Sequence, residues 1–185
     1  VHIQPQLGSS VSFEDCVFKN NNVAAHIHPD RYSTVAFKNC DFVNNCRSIY
    51  NENAGVEIDS CVFIDYEAME QDANSFCVPD HFIVSIHQQG NLNLTNSCFR
   101  GLNSNRDAFV LASRSLEEGL EYIQSGSYAC GTSSCLGTNM STSSAGSFCF
   151  PFAAESCPLA RFDDCPAPRS ISQPTASPSP SPSPS

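Results

Sequence analysis

The sequence predicts an all-β protein in which short strands stack in parallel, unit upon unit. A gapless internal repeat, strand alternation inside it, and a corner residue at one fixed place in every unit carry that prediction. Four segments align: VSFEDCVF from Val11 to Phe18, VAFKNCDF from Val35 to Phe42, VEIDSCVF from Val56 to Phe63 and LNLTNSCF from Leu92 to Phe99. Their starts are 24, 21 and 36 residues apart (35−11, 56−35, 92−56), the last being one unit plus an insertion.

Val11, Val35, Val56 and Leu92 form a first apolar column, and Phe13, Phe37, Ile58 and Leu94 a second. Ser12, Ala36, Glu57 and Asn93 lie between them. Successive side chains of a strand point to opposite faces, so the columns face in and the residues between face out. Asp15, Asn39, Ser60 and Asn96 follow as a corner, since Asn and Asp tolerate left-handed backbone angles. A second short strand then turns Cys16, Cys40, Cys61 and Ser97 inward and ends on Phe18, Phe42, Phe63 and Phe99. The pieces AHIHP, RSIYN, VSIHQ and FVLAS supply a third strand, with Ile27, Ile49, Ile86 and Leu111 as its inward column. One such unit cannot bury its apolar side alone. Units stacked ~4.8 Å apart bury every column as a ladder. An antiparallel sandwich with coincidentally similar strands is the alternative.

The recurring strand, Asn-type corner, Cys and Phe resemble the pectin-lyase-like right-handed parallel β-helix over residues 1–115. The resemblance implies a β-helix of about four coils. It implies little about function, because that fold hosts enzymes, adhesins and fibres alike.

The rest of the chain divides by composition. Residues 1–126 are assigned to the β-helix. Residues 64–80 are an insertion that should protrude near Val43–Arg47, which makes Cys46 and Cys77 a candidate pair. Residues 115–124, SLEEGLEYIQ, read as a short amphipathic capping helix. Ser115 and Glu118 have capping-box spacing, and Leu116, Leu120 and Ile123 share a face. Gly119 weakens that reading and leaves an irregular last strand as the alternative. Residues 127–169 are a cysteine-rich irregular segment, stapled by disulfides because it has few periodic apolar residues. Residues 170–185 form a Ser-Pro tail suited to extended polyproline II. That tail resembles plant and algal hydroxyproline-rich glycoproteins, which implies hydroxylated, O-glycosylated Pro178, Pro180, Pro182 and Pro184. An unmodified linker is the alternative. Val1 lies close to a strand and Ser185 inside a repeat, so both ends read as processing points or limits of observation.

Apolar residues are 41% of the chain and charged residues 15%, too apolar for a solvated disordered chain. Nineteen acidic and nine basic residues give a net charge of −10, a poor surface for phosphate, so nucleic acid is not an expected partner. No apolar stretch reaches the ~18–20 residues of a membrane span. Eleven cysteines without a C-x-x-C pair point to disulfides in an oxidising, secreted setting rather than to zinc. Besides Cys46 and Cys77, the disulfide candidates are Cys130, Cys135, Cys149, Cys157 and Cys165. An odd count leaves at least one thiol free or intermolecular.

No catalytic residue is assigned. The only paired aspartates, Asp163 and Asp164, lie away from the repeat, and Glu14, Lys38, Glu57 and Asp59 make a mixed solvated face. His26 and His28 point to one outward side, with Ser48 and Ser85 beside His26, Tyr50 beside His28, and His87 two units away. They read as a polar surface row, with a metal or sugar contact as the alternative. No metal and no cofactor are assigned. Asn93 and Asn139 head N-glycosylation sequons, Asn93 on an outward strand position and Asn139 in a loop.

These readings lead to a non-catalytic structural or adhesive extracellular glycoprotein, a subunit of a matrix or flagellar-hair-like filament. Its expected partners are covalent glycans and copies of itself or other matrix glycoproteins. The rivals are a piece of a polysaccharide lyase or hydrolase with its active site before Val1, and a carbohydrate-binding module using Tyr32, Tyr50 and the histidines.

Overall fold

The computed structural model describes residues 1–28, 32–65, 82–86, 91–102, 108–112, 122–131, 136–139, 148–150 and 154–162. Among them the chain is all-β, with no helix, and the strands form three sheets. After β1 (His2–Ile3), strands recur in threes. The first circuit is β2 (Ser10–Glu14), β3 (Val17–Lys19) and β4 (Val23–Ile27). The second is β5 (Thr34–Lys38), β6 (Asp41–Asn45) and β7 (Arg47–Asn51). The third is β8 (Gly55–Asp59), β9 (Val62–Asp65) and β10 (Val84–Ile86). The fourth is β11 (Leu92–Thr95), β12 (Cys98–Arg100) and β13 (Val110–Ala112). A fifth follows as β14 (Tyr122–Ser125), β15 (Tyr128–Cys130) and β16 (Gly137–Asn139), before β17 (Phe148–Phe150).

Each circuit gives one strand to each sheet. The first sheet holds β2, β5, β8, β11 and β14, and the second β3, β6, β9, β12 and β15. The third holds β1, β4, β7, β10, β13, β16 and β17. All pairings are parallel except β16 with β17.

The register places the repeat as read. Val11, Val35, Val56 and Leu92 are successive partners, as are Phe13, Phe37, Ile58 and Leu94. Phe18, Phe42, Phe63 and Phe99 form one buried stack, with centroids 4.7, 4.7 and 4.4 Å apart and planes within 8°. The corner residues Asp15, Asn39, Ser60 and Asn96 have φ of 54°, 53°, 54° and 47°, the left-handed region. Gly126 continues the row at φ 63°, where a Cβ would come within 2.6 Å of Asn96 Oδ1. Asn20 and Asn44 make a second left-handed row that the sequence reading did not mark, with Asn44 Nδ2 donating to Asn20 Oδ1 at 2.7 Å. Beside it, the buried Asn45 Oδ1 accepts from Asn21 N and Nδ2 at 2.9 Å, and Asn45 Nδ2 donates to Phe18 O at 2.9 Å.

The third sheet corrects the predicted column of Ile27, Ile49, Ile86 and Leu111. Ile49 pairs with Ala25 and Val84, while Ile27 and Ile86 pair with Asn51. A two-residue shift keeps a side chain on its face, so Ile49 is still inward. Asn51 holds the inward place because it caps the bend, donating to Ala54 O at 2.8 Å and accepting from Ala54 N at 3.1 Å. Leu111 pairs with Ser85, not Ile86. That one-residue slip turns it to the other face, where it packs with Phe82 and Ala108.

The end of the repeat also needs correction. Tyr122–Gln124, expected to close a helix, belong to β14 and pair in parallel with Leu92–Leu94. Residues 115–121 lie outside the described residues. The rotation through the sheets then crosses residue 126 into the segment expected to be irregular. Asn139, expected in a loop, ends β16 and pairs with Phe148. The insertion from residue 66 onward with Cys77, the side chains of Cys135, Cys149 and Cys165, Asp163, Asp164 and the tail prolines lie outside the described residues or side chains.

Candidate functional site

On the third sheet, β1 pairs with β4 so that His2 stands opposite His26 and Ile3 opposite Ile27. The isoleucines turn into the core and the histidines out. His28, two residues beyond His26, rejoins the same face, and its backbone N donates to Ile3 O at 2.9 Å. The result is a triangle of imidazoles whose ligand-type nitrogens lie within 4.8 Å of one another. The His26 and His28 rings stack at 4.6 Å, and His2 sits edge-on at 5.3 and 4.4 Å.

Glu52 completes the cluster. It follows β7, and its backbone N donates to Ile27 O at 3.2 Å, which continues the ladder. Its carboxylate reaches both strand-borne histidines, with Oε1 3.1 Å from His26 Nε2 and Oε2 3.9 Å from His28 Nδ1. The side chains of His26, His28 and Glu52 are 33%, 34% and 26% exposed, so solutes can reach them without the site being fully solvated. The neighbours differ in part from the predicted ones. Tyr50, not Ser48, lies opposite His26 on β7 and meets it edge-on at 4.9 Å, and Ser85 follows Tyr50 in the same row as expected. The Arg47 guanidinium lies 4.6 Å over the Tyr50 ring. His87 lies outside the described residues, and Tyr32 is 60% exposed.

Sequence reading missed both Glu52 and His2. The signal for His2 was present: His2-Ile3 precedes His26-Ile27 by 24 residues (26−2), the spacing from Val11 to Val35.

A second chemical row runs inside. Cys16, Cys40 and Cys61 are free thiols at successive places, continued by Ser97 and Ser127. Cys40 and Cys61 are buried and Cys16 half-buried, so the predicted inward column holds. Cys40 Sγ lies 3.4 Å from Phe13 O and Cys61 Sγ 3.3 Å from Phe37 O, each reaching the circuit before. Ser97 Oγ accepts from Cys61 N at 3.1 Å and Ser127 Oγ from Ser97 N at 3.2 Å. The hydrogen bond between Cys40 and Cys61, followed by burial, pushes the Cys61 thiol up. The same bond pulls Cys40 down, to about 6, against its own burial.

Scans against protein-family models, curated proteins and solved structures find no match to this chain.

The remaining predicted sites are scattered. Asn93 is exposed between buried Leu92 and Leu94, with Thr95 Oγ1 donating to Asp59 Oδ1 at 2.7 Å. The side chain of Asn139 lies outside the described residues. Cys157 is joined to Cys98, a residue not among the disulfide candidates. Cys98 occupies the outward place held by Val62 and Asp41 one and two circuits earlier. A cysteine outside the inward column was the available signal. Cys46 and Cys130 are also disulfide-bonded, to partners outside the described side chains.

Residues 154–162 lie over the second sheet. Phe162, Leu159 and Cys157 pack with Val62, Ile64, Cys98 and Tyr128. Arg161 bridges two circuits: Nε donates to Asp41 Oδ1 at 2.9 Å, Nη1 to Asn39 Oδ1 and Nη2 to Ser60 O. Among the described residues no helix is long and apolar enough to cross a membrane.

Proposed function

We propose that the chain is a non-catalytic structural or adhesive glycoprotein of an extracellular matrix or flagellar-hair-like filament, built on a right-handed parallel β-helix of the pectin-lyase-like type. The observation that carries this reading is the fixed rotation of strands through three parallel sheets, with like residues repeated at like places. Each circuit is buried by its neighbours, so length is gained by adding units, as a fibre-forming element requires. The Cys98–Cys157 disulfide supports an oxidising setting. Exposed Asn93 in its sequon supports glycan attachment at the surface. The Ser-Pro run supports a hydrated, extended spacer.

The test is biochemical fractionation of the native source with antibody to this chain. The protein is expected with insoluble extracellular material. A glycosidase-sensitive glycan is expected on Asn93 and hydroxyproline glycopeptides from the tail. A purely intracellular pool with unmodified Asn93 and tail prolines would overturn the reading. So would release of oligosaccharides from polyuronate by the purified chain.

A further inference from the structure

We propose that His2, His26, His28 and Glu52 form a binding site for a divalent cation of borderline softness, with zinc(II) as its representative. Parallel pairing puts His2 beside His26 on neighbouring strands, and strand alternation returns His28 to the same face. Three imidazoles therefore converge from one sheet surface onto one point, with ligand-type nitrogens within 4.8 Å of one another. Zinc–nitrogen bonds of about 2.0–2.1 Å set neighbouring donors of a tetrahedral site about 3.3 Å apart. Closing the triangle takes movements of up to about 1.5 Å, on the scale of side-chain rotation. The backbone, fixed by the ladder, need not move.

Glu52 is the second observation. It is the single carboxylate against the cluster among the described residues, engaging His26 Nε2 at 3.1 Å and facing His28 Nδ1 at 3.9 Å. A carboxylate that holds metal-binding imidazoles fixes their orientation and compensates the cation's charge. Tyr50 against His26 limits ring rotation on the far side. Imidazole donors suit zinc, copper and nickel rather than calcium or magnesium, which prefer oxygen. The cluster stands on the outer face of the third sheet, remote in kind from the inward thiols, so it involves no sulfur.

The experiment is titration of the metal-free full chain with zinc(II) against a chromophoric chelator, paired with cobalt(II) absorption. One equivalent should bind, and the cobalt spectrum should show tetrahedral d–d bands without a sulfur charge-transfer band. His2→Gln should weaken binding at least about tenfold while leaving circular dichroism unchanged, because His2 is exposed on a two-residue edge strand. Glu52→Gln should weaken it by about 10–100-fold with the stoichiometry kept. Absence of saturable binding would overturn the proposal, as would full affinity in the His2→Gln and His26→Gln chains. A thiolate band would do the same by moving the ion to the cysteines.

Discussion

The first and third circuits are built from nearly the same residues and end in different environments. In β2 the inward Val11 and Phe13 are only half-buried, whereas their partners Val35, Phe37, Val56 and Ile58 are buried. Cys16 is half-buried where Cys61 is buried. The local sequence is equivalent, so the difference comes from what lies above and below. In this architecture a residue's burial belongs to the stack more than to its own strand.

That contrast is sharpest at the phenylalanines. Phe63→Ala leaves a cavity between two stacked rings and is expected to cost about 3–5 kcal/mol. Phe13→Ala, at a half-buried site, is expected to cost less than half of that. Denaturant unfolding of both variants checks it, and equal losses would break the comparison.

The apolar repeat was legible because its columns are chemically uniform: each unit carries a Val or Leu, a Phe, Ile or Leu, and a closing Phe. The fifth circuit was not. Tyr122, Gln124 and Ala129 stand where Leu92, Leu94 and Phe99 stand one circuit earlier, so the apolar signature is gone while Gly126 keeps the corner. The third strand was misaligned for a related reason. Asn51 holds an inward place by bonding to the backbone, and matching isoleucine to isoleucine passes over it. The histidine site was half legible. His26 and His28 are two residues apart in sequence, but His2 and Glu52 reach them only through strand pairing.

Thiol chemistry gives the next test. A mild alkylating reagent should modify Cys16 in the native protein, while Cys40 and Cys61 react only after unfolding. Peptide mass spectrometry reads the order. Rapid native labelling of Cys61 would remove the distinction between edge and interior.

The smallest effect is expected at the corners. Asn39→Ala replaces a left-handed residue that donates to Asp15 Oδ1 and accepts from Arg161, and should cost about 1–2 kcal/mol. Asp15→Ala, with one such side-chain contact fewer, should cost less. Asn39→Gly sharpens the point, since glycine restores the backbone freedom but not the bonds. Thermal melts of the three variants should rank Asn39→Ala as the most destabilised, and the reverse order would count against the corner account.

The Cys98–Cys157 bond has a mechanical meaning. It joins residues 59 apart in sequence, and the last three strands of the rotation, β14 to β16, lie inside the closed loop. Tension that arrives at Cys157 passes through sulfur to the fourth circuit. It does not peel β16, β15 and β14 away one after another. That tension is therefore carried by β12, a strand held on both sides by the ladders to β9 and β15.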